Sequence, residues 1–279
     1  MRDLHSLDDC KRIVELEKQI WGYTDPEDLV PAIILMLSAK RGGLLIGAED
    51  TNGKLEGFAF SMASIVDGRP AQWSHMMGVL PAMRTKGLGR ALKLAQRDRA
   101  IKMGLELIEW TFDPLQAINA HLNFARLGVI AQTYAANIYG ESSSVLHRGT
   151  ATDRLIVEWW IQRPHVARRI EAGPLTARDS GVASARVLNE LSGRDPWDMP
   201  AEATLPPDGD RVLIRVPARF SEMQRAEPLL AQAWRQQTRT LFTAGFARGY
   251  RAVDFFKDDR AGGAYLLAKE AGAAIPAAS

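Results

Sequence analysis

The sequence has little of what several classes of protein require. Its single cysteine, Cys10, excludes an internal disulfide and a cysteine-based metal cluster. The most apolar run, PAIILMLSA, is shorter than the ~18 apolar residues of a membrane-spanning helix. The formal net charge of +2 gives no electrostatic reason to expect a nucleic acid or a membrane as partner. We therefore predict a cytoplasmic globular protein that uses no metal.

The chain is long enough for one large domain or two modest ones, with 279 residues of which 46% are hydrophobic. Between residues 71 and 112 the pattern reads strand, glycine loop, helix, strand, which implies a parallel βαβ unit and an α/β fold. After Arg163 the segment SGRDPWDMPAEATLPPDGD is rich in proline, glycine and acid, as in a long connection. We expect a domain at 1–163, a linker at 164–210 and a smaller α/β lobe at 211–270.

The segment MRTKGLGRALKLAQ, residues 83–96, places two glycines where a strand gives way to a helix. Such a turn leaves backbone N–H groups unpaired, and the helix dipole adds partial positive charge there, so the ligand it favours is a phosphate or pyrophosphate. The dinucleotide fingerprint requires a third glycine, but position 92 is leucine. The Lys-Ser/Thr pair of the nucleotide-binding P-loop is missing as well.

The longer segment GVLPAMRTKGLGRAL resembles the acyl-CoA-binding segment of the GNAT superfamily of N-acyltransferases, whose motif is Gln/Arg-x-x-Gly-x-Gly/Ala after a strand. The resemblance covers roughly residues 1–160. Within it, SHMMGVLP and WTFDPLQAINAHLNFARLG are similar to an uncharacterised bacterial branch of predicted acetyltransferases. The resemblance implies a mixed central sheet flanked by helices. The lobe at 211–270 would then be a degenerate half of the same fold, which either extends the sheet or contacts a second copy in a homodimer.

The resemblance also implies where acyl-CoA binds. Val79 and Leu80 would hydrogen-bond the pantetheine arm as an added strand does. Asn119 and Asn123, four residues apart on one helix face, are candidates for a further pantetheine contact, against capping or surface roles. The pyrophosphate would be held by the glycine loop and its basic flanks, namely Arg84, Thr85, Lys86, Gly87, Leu88, Gly89 and Arg90.

Catalysis in such a fold is direct attack of an amine on the thioester, which requires that the amine lose a proton. By two-residue alternation His75 shares a strand face with Met77 and Val79, and it is either the base or a packed or substrate-contacting histidine. The position at which relatives carry an acidic tyrosine is Phe124, which has no proton to give. Two downstream residues, Tyr134 and Tyr139, are candidates to replace it, or the thiolate leaves unprotonated.

The resulting hypothesis is transfer of an acyl group from acyl-CoA to a primary amine on a small molecule such as an amino acid. Acetyl is the default donor group, and succinyl is open. The alternative is a module that binds acyl-CoA as a sensor without turnover. A third reading, nucleic-acid binding through basic runs such as RPHVARR, is weakened by the near-neutral net charge.

Overall fold

The computed structural model describes residues 1–23, 25–140, 151–176, 182, 185–193, 196–203, 209–258 and 262–269. The chain divides into two compact units. The first comprises Met1–Trp110 with Trp160–Gln162, and the second holds the other described residues from Thr111 onward. This division falls inside a strand and not at residue 163, so the domain at 1–163 stays a prediction.

The first unit contains a mixed sheet whose described strands run in the order β1-β2-β3-β4-β5. The pairs β1–β2, β2–β3 and β3–β4 are antiparallel, whereas β4 and β5 are parallel, as the βαβ pattern predicted. The Asn52-Gly53 turn joins β2 to β3, with Gly53 at φ 78° and the Asp50 carboxylate accepting the Asn52 N–H at 2.8 Å. The strands are β1 (Arg2–Asp3), β2 (Leu44–Glu49), β3 (Leu55–Val66), β4 (Arg69–Val79) and β5 (Leu107–Phe112, whose last two residues belong to the second unit).

Helices cover both faces of this sheet. Helices α1 (Leu7–Trp21) and α2 (Ala32–Lys40) pack on one face, where Phe58 and Phe60 join their core, and α3 (Leu88–Lys102) packs on the other through Leu92. Both ends of α1 are predictable from sequence, because the Ser6 side chain accepts the Asp9 N–H at 3.0 Å and Gly22 ends the helix at φ 66°.

The second unit contains a sheet in the order β7-β6-β12-β13-β11-β8, antiparallel except between β11 and β8. Its strands are β6 (Ile130–Ala135), β7 (Arg154–Trp160, whose last residue belongs to the first unit), β8 (Arg186–Val187), β11 (Arg211–Val216), β12 (Tyr250–Asp258) and β13 (Gly262–Lys269), with a separate pair β9 (Leu191–Ser192) and β10 (Met199–Pro200). Its helices are α4 (Ala117–Ala120), a π-helix (His121–Leu127), α5 (Pro164–Ala172), α6 (Phe220–Ala226) and α7 (Pro228–Ala247).

The strands of the expected C-terminal lobe continue a sheet that β6 and β7 begin, because Ala252 of β12 pairs with Ala131 of β6. The strands of this lobe therefore extend the sheet of the second unit, and the half-fold and homodimer interpretations of the lobe stay predictions. The mixed α/β class is confirmed. In the part of the chain that the structure describes, no helix has the length and apolar character needed to cross a bilayer.

Candidate functional site

The glycine loop forms an open turn between β4 and α3. After a 3-10 turn at Pro81–Met83 the chain reaches Gly87, which is the N-cap of α3 and has φ 82°. The first hydrogen bond of the helix runs from the Ala91 N–H to the Gly87 carbonyl at 3.0 Å. The amides of Leu88 and Gly89 therefore precede the helical ladder and lie where the helix dipole is positive.

The surface around this turn has room for a ligand. A Cβ placed on Gly87 meets no heavy atom within 4 Å among the described residues, and the turn itself is exposed. Arg84 and Lys86 are exposed beside it, and Thr85 adopts φ 63°, a conformation that non-glycine residues rarely take. Open amides, a left-handed glycine and neighbouring cations fit a pyrophosphate group.

A β-bulge in β4 changes the face on which His75 lies. Phe60 pairs with Met76 and Met62 with Trp73, so a single β3 residue, Ser61, faces both Ser74 and His75. The His75 ring contacts Phe60 edge-on at 6.1 Å, and Phe60 belongs to the core under α1 and α2.

Met77 and Val79 pack instead against the core under α3. The expectation that His75 shares their face was therefore wrong, because the extra residue of the bulge interrupts the alternation. His75 is exposed, but its contacts still desolvate the ring and lower the pKa of the imidazole. At neutral pH the ring is therefore largely neutral and able to accept a proton.

Past the bulge, the side of β4 away from β3 pairs with no strand among the residues that the structure describes, and we call this its free edge. Its pairing with β5 covers Gln72 with Ile108 and Trp73 with Glu109, and no later pair is recorded in the described part of the chain. The Leu80 N–H donates to the Glu56 carbonyl at 2.9 Å, so this amide is not available to an added strand, and a pantetheine contact by Leu80 stays a prediction. By antiparallel alternation the Val79 amide points away from β3 and remains suited to an added strand.

The sequence did not reveal a buried polar cluster under the bulge. Lys93 of α3 donates from Nζ to Ser74 Oγ at 2.8 Å and to Gln96 Oε1 at 3.2 Å, and it lies 3.6 Å from the centre of the Trp110 ring. Burial lowers the pKa of the Lys93 ammonium to about 7. The spacing of the residues could have predicted this burial, because positions 92, 93, 96 and 100 lie on one stripe of the helix.

The second unit places the two tyrosine candidates in different surroundings. The Tyr134 hydroxyl donates to Asp153 Oδ2 at 2.7 Å, and burial with this carboxylate raises the pKa of the phenol well above its usual value. Such a phenol is a poor proton donor to a thiolate. Tyr139 is 47% exposed and its hydroxyl lies 2.7 Å from Thr111 Oγ1, so it is the accessible candidate of the two.

The helix that carries Asn119 and Asn123 contains a π-helical segment. Asn119 is exposed whereas Asn123 is 4% exposed, so Asn119 is the accessible one of the two, and a pantetheine contact by either stays a prediction. Phe124 is fully buried against Phe112 and Tyr265, at ring distances of 6.2 and 5.5 Å. It is therefore a core residue.

Asp113 anchors the end of β5 within the second unit. Its carboxylate accepts the Leu115 N–H at 2.9 Å, which forms a turn, and pairs with both terminal nitrogens of Arg235 at 2.5 and 2.8 Å. This buried pairing holds the pKa of Asp113 below its usual value despite desolvation. Among the described residues no group of three His, Cys, Asp or Glu side chains is arranged to hold a metal ion.

Fold and site together define a mixed α/β protein with an amide cradle at a strand–helix junction. No family model matches the sequence, and no curated protein does. Among solved structures, the chain is similar to the ribosomal-protein-S18-alanine N-acetyltransferase of Escherichia coli, with 19% identity, a TM-score of 0.46, and coverage of 58% of this chain and 93% of that one.

Two other solved structures show likeness at the same level. An acetyltransferase of the GNAT family from Streptococcus pneumoniae is 16% identical, with a TM-score of 0.45 and coverage of 56% of this chain and 96% of that one. A chain of the NatC complex bound to Gag peptide and CoA is 12% identical, with a TM-score of 0.44 and coverage of 63% of this chain and 97% of that one.

Proposed function

We propose that the protein transfers an acyl group from acyl-CoA to a primary amine of a small molecule. The observation that carries this proposal is the open cradle at Gly87, where the amides of Leu88 and Gly89 precede the helical ladder beside exposed Arg84 and Lys86. A diphosphate is the ligand that such a cradle favours, and the sequence motif of this loop is that of acyl-CoA binders.

The free edge of β4 supports the same ligand. An acyl-CoA whose pyrophosphate lies at the cradle would run its pantetheine arm back along the strand, where the Val79 amide points away from β3. Such a strand-like arm ends in the thioester. The cradle and this edge both belong to the first unit.

In the proposed reaction the amine nitrogen attacks the thioester carbonyl, the C–S bond breaks, and the thiolate leaves as the amide forms. The amine must lose a proton, and His75 is exposed with a lowered pKa that keeps its imidazole in the accepting form. The thiolate takes a proton from water or leaves as the anion.

The test is release of free thiol from acetyl-CoA and succinyl-CoA in the presence of a panel of amino acids, other small amines and peptides with a free N-terminus. Release only with small amines is the expected result, whereas release only with peptides would overturn the small-molecule acceptor. His75→Ala should lower turnover by about 10²- to 10⁴-fold with little effect on CoA affinity measured by calorimetry. Wild-type turnover in that variant would remove His75 from the mechanism.

Binding without turnover is the second candidate function. It is favoured by the hydrogen bond that the Tyr134 hydroxyl donates to Asp153, and by phenylalanine at position 124, which has no acidic proton to give to a thiolate. A protein that binds acyl-CoA but releases no thiol with any amine would support the sensor and refute the enzyme. Failure to bind CoA at millimolar concentration would refute both.

A further inference from the structure

Lys93 carries a buried amine that forms no ion pair with any carboxylate in the described part of the chain. Its residue is 2% exposed, and its Nζ contacts are the neutral groups of Ser74, Gln96 and the Trp110 ring. Desolvation is the one cause that shifts its pKa, and no carboxylate of the described residues forms an ion pair with it. When this amine is protonated, the dipoles of Ser74 and Gln96 and the π-system of Trp110 are the described groups that stabilise its charge.

Such an arrangement costs stability. Burying an ammonium group without a counter-charge is expensive, and an apolar side chain of similar length would fit the same space at lower cost. Perturbed buried groups of this kind are frequent at functional sites. The position of Lys93 under the sheet indicates which function it serves.

The partners of Lys93 are the residues that hold the bulge. Ser74 lies in the bulge next to His75, and it also exchanges hydrogen bonds with Gln96, at 3.1 Å from Gln96 Nε2. Lys93 and Gln96 both belong to α3, the helix whose first turn forms the amide cradle. One helix therefore carries the cradle and ties down the bulge from which the free edge of β4 begins.

We propose that Lys93 is a positioning residue for acyl transfer: it holds Ser74 and the β4 bulge against α3, and it thereby fixes the strand edge along which the thioester would lie. This inference rests on the proposed function. Negative charge develops on the thioester oxygen during attack, and backbone amides held in place along that edge stabilise it more in the transition state than in the ground state. The effect therefore belongs to turnover and not to CoA binding.

The test compares Lys93→Met with Lys102→Met, which makes the same change at an exposed position of the same helix. We expect Lys93→Met to lower kcat by about 10- to 100-fold while the KM for acyl-CoA stays within about twofold. Its thermal midpoint should not fall, because a buried charge has been removed. Lys102→Met should match the wild type in all three measurements.

Ser74→Ala provides a second variant, which keeps the Lys93 side chain but removes the hydrogen bond from Lys93 Nζ to the bulge. It should lower kcat less than Lys93→Met does, and the two changes together should cost less than the product of their separate effects, since they act through one contact. Ser74→Ala also decides the question if Lys93→Met does not fold.

Two results would overturn the proposal. In the first, Lys93→Met retains wild-type kcat, or loses activity only in step with its stability, which would leave Lys93 a purely structural residue. In the second, Ser74→Ala and Lys93→Met multiply independently, which would disconnect Lys93 from the bulge. Failure of the proposed function looks different, because the wild type itself would release no thiol, and the role of Lys93 in turnover would fall with it.

Discussion

Replacement of Lys93 by methionine should alter the pH dependence of stability in a calculable way. Burial lowers the pKa of the Lys93 ammonium from 10.5 to about 7 in the folded protein. Between these two values the unfolded chain holds a proton that the folded chain does not, so the free energy of unfolding of the wild type rises with pH over this window. The cost of burying the charge is largest below pH 7, where the folded protein must carry it.

The magnitude follows from the size of the pKa shift. A difference of about 3.5 pH units corresponds to about 5 kcal/mol at 1.36 kcal/mol per unit, and this is an upper bound because water penetration and relaxation reduce it. Methionine has no titrating group. The stability advantage of Lys93→Met should therefore be greatest near pH 6 and should shrink by up to about 1.4 kcal/mol per unit above pH 7.

The assay is urea unfolding of the wild type, Lys93→Met and Lys102→Met at pH values from 6 to 10, followed by tryptophan fluorescence. Only the difference in the free energy of unfolding between each variant and the wild type is interpreted, because the contributions from titration of tyrosine, cysteine and the other lysines then cancel. Equal m-values would show that the denatured states are comparable. A Lys93→Met difference that stays flat with pH, like that expected for Lys102→Met, would show a solvated lysine and refute the reasoning.

Three further predictions concern the cradle and two buried carboxylates. Gly87→Val should raise the KM for acyl-CoA at least about tenfold, because a backbone at φ 82° is strained by any side chain and a branched Cβ blocks the approach of the phosphate. The control is Gly53→Val, at φ 78° in a hairpin turn, which should lose similar stability and leave the KM unchanged. Burial raises the pKa of Glu17 from 4.5 to about 7, so the free energy of unfolding of the wild type falls as pH rises from 4.5 to 7. In urea unfolding, Glu17→Gln should therefore be up to about 3 kcal/mol more stable than the wild type above pH 7 and no more stable near pH 4.5, and a difference that does not change with pH would contradict this. In the same assay, Asp113→Asn should destabilise the protein by about 3–5 kcal/mol, because it leaves Arg235 buried without its partner. Adding Arg235→Met to this variant should cost little further stability, and additive losses of stability from the two substitutions would argue against a coupled pair.

Features set by local sequence were predictable. The Ser6 cap, the Gly22 helix end and the Asn52-Gly53 hairpin each depend on a few neighbouring residues. A serine cap starts a helix, a glycine with positive φ ends one, and Asn-Gly forms a hairpin turn, so each could be recognised without knowing the fold. The glycine loop at Gly87 belongs to the same class, because its position between a strand and a helix could be read directly.

Features set by partner strands and by packing were not predictable. The bulge at Ser74 and His75 depends on how β4 pairs with β3, and two-residue alternation along β4 alone assigned His75 to the wrong face. The burial of Lys93 was missed because periodicity was counted over apolar side chains, although Lys93 occupies the stripe of Leu92 and Ala100. The π-helix before Gly128 escaped for a similar reason, since its extra residue per turn has no local sequence signal.

The geometry of α3 explains why these two classes of feature meet at one site. A helix rises 1.5 Å per residue, so Lys93 lies only about 6 Å along the axis from Gly89. The cradle, which the sequence reveals, and the bulge contact, which it does not, are therefore held by the first two turns of one helix. A displacement of α3 would disturb both the proposed pyrophosphate site and the bulge contact. The effect of a substitution at Gly87 is therefore distinguished from that of one at Lys93 by measuring KM and kcat separately, since the first should raise KM and the second should lower kcat.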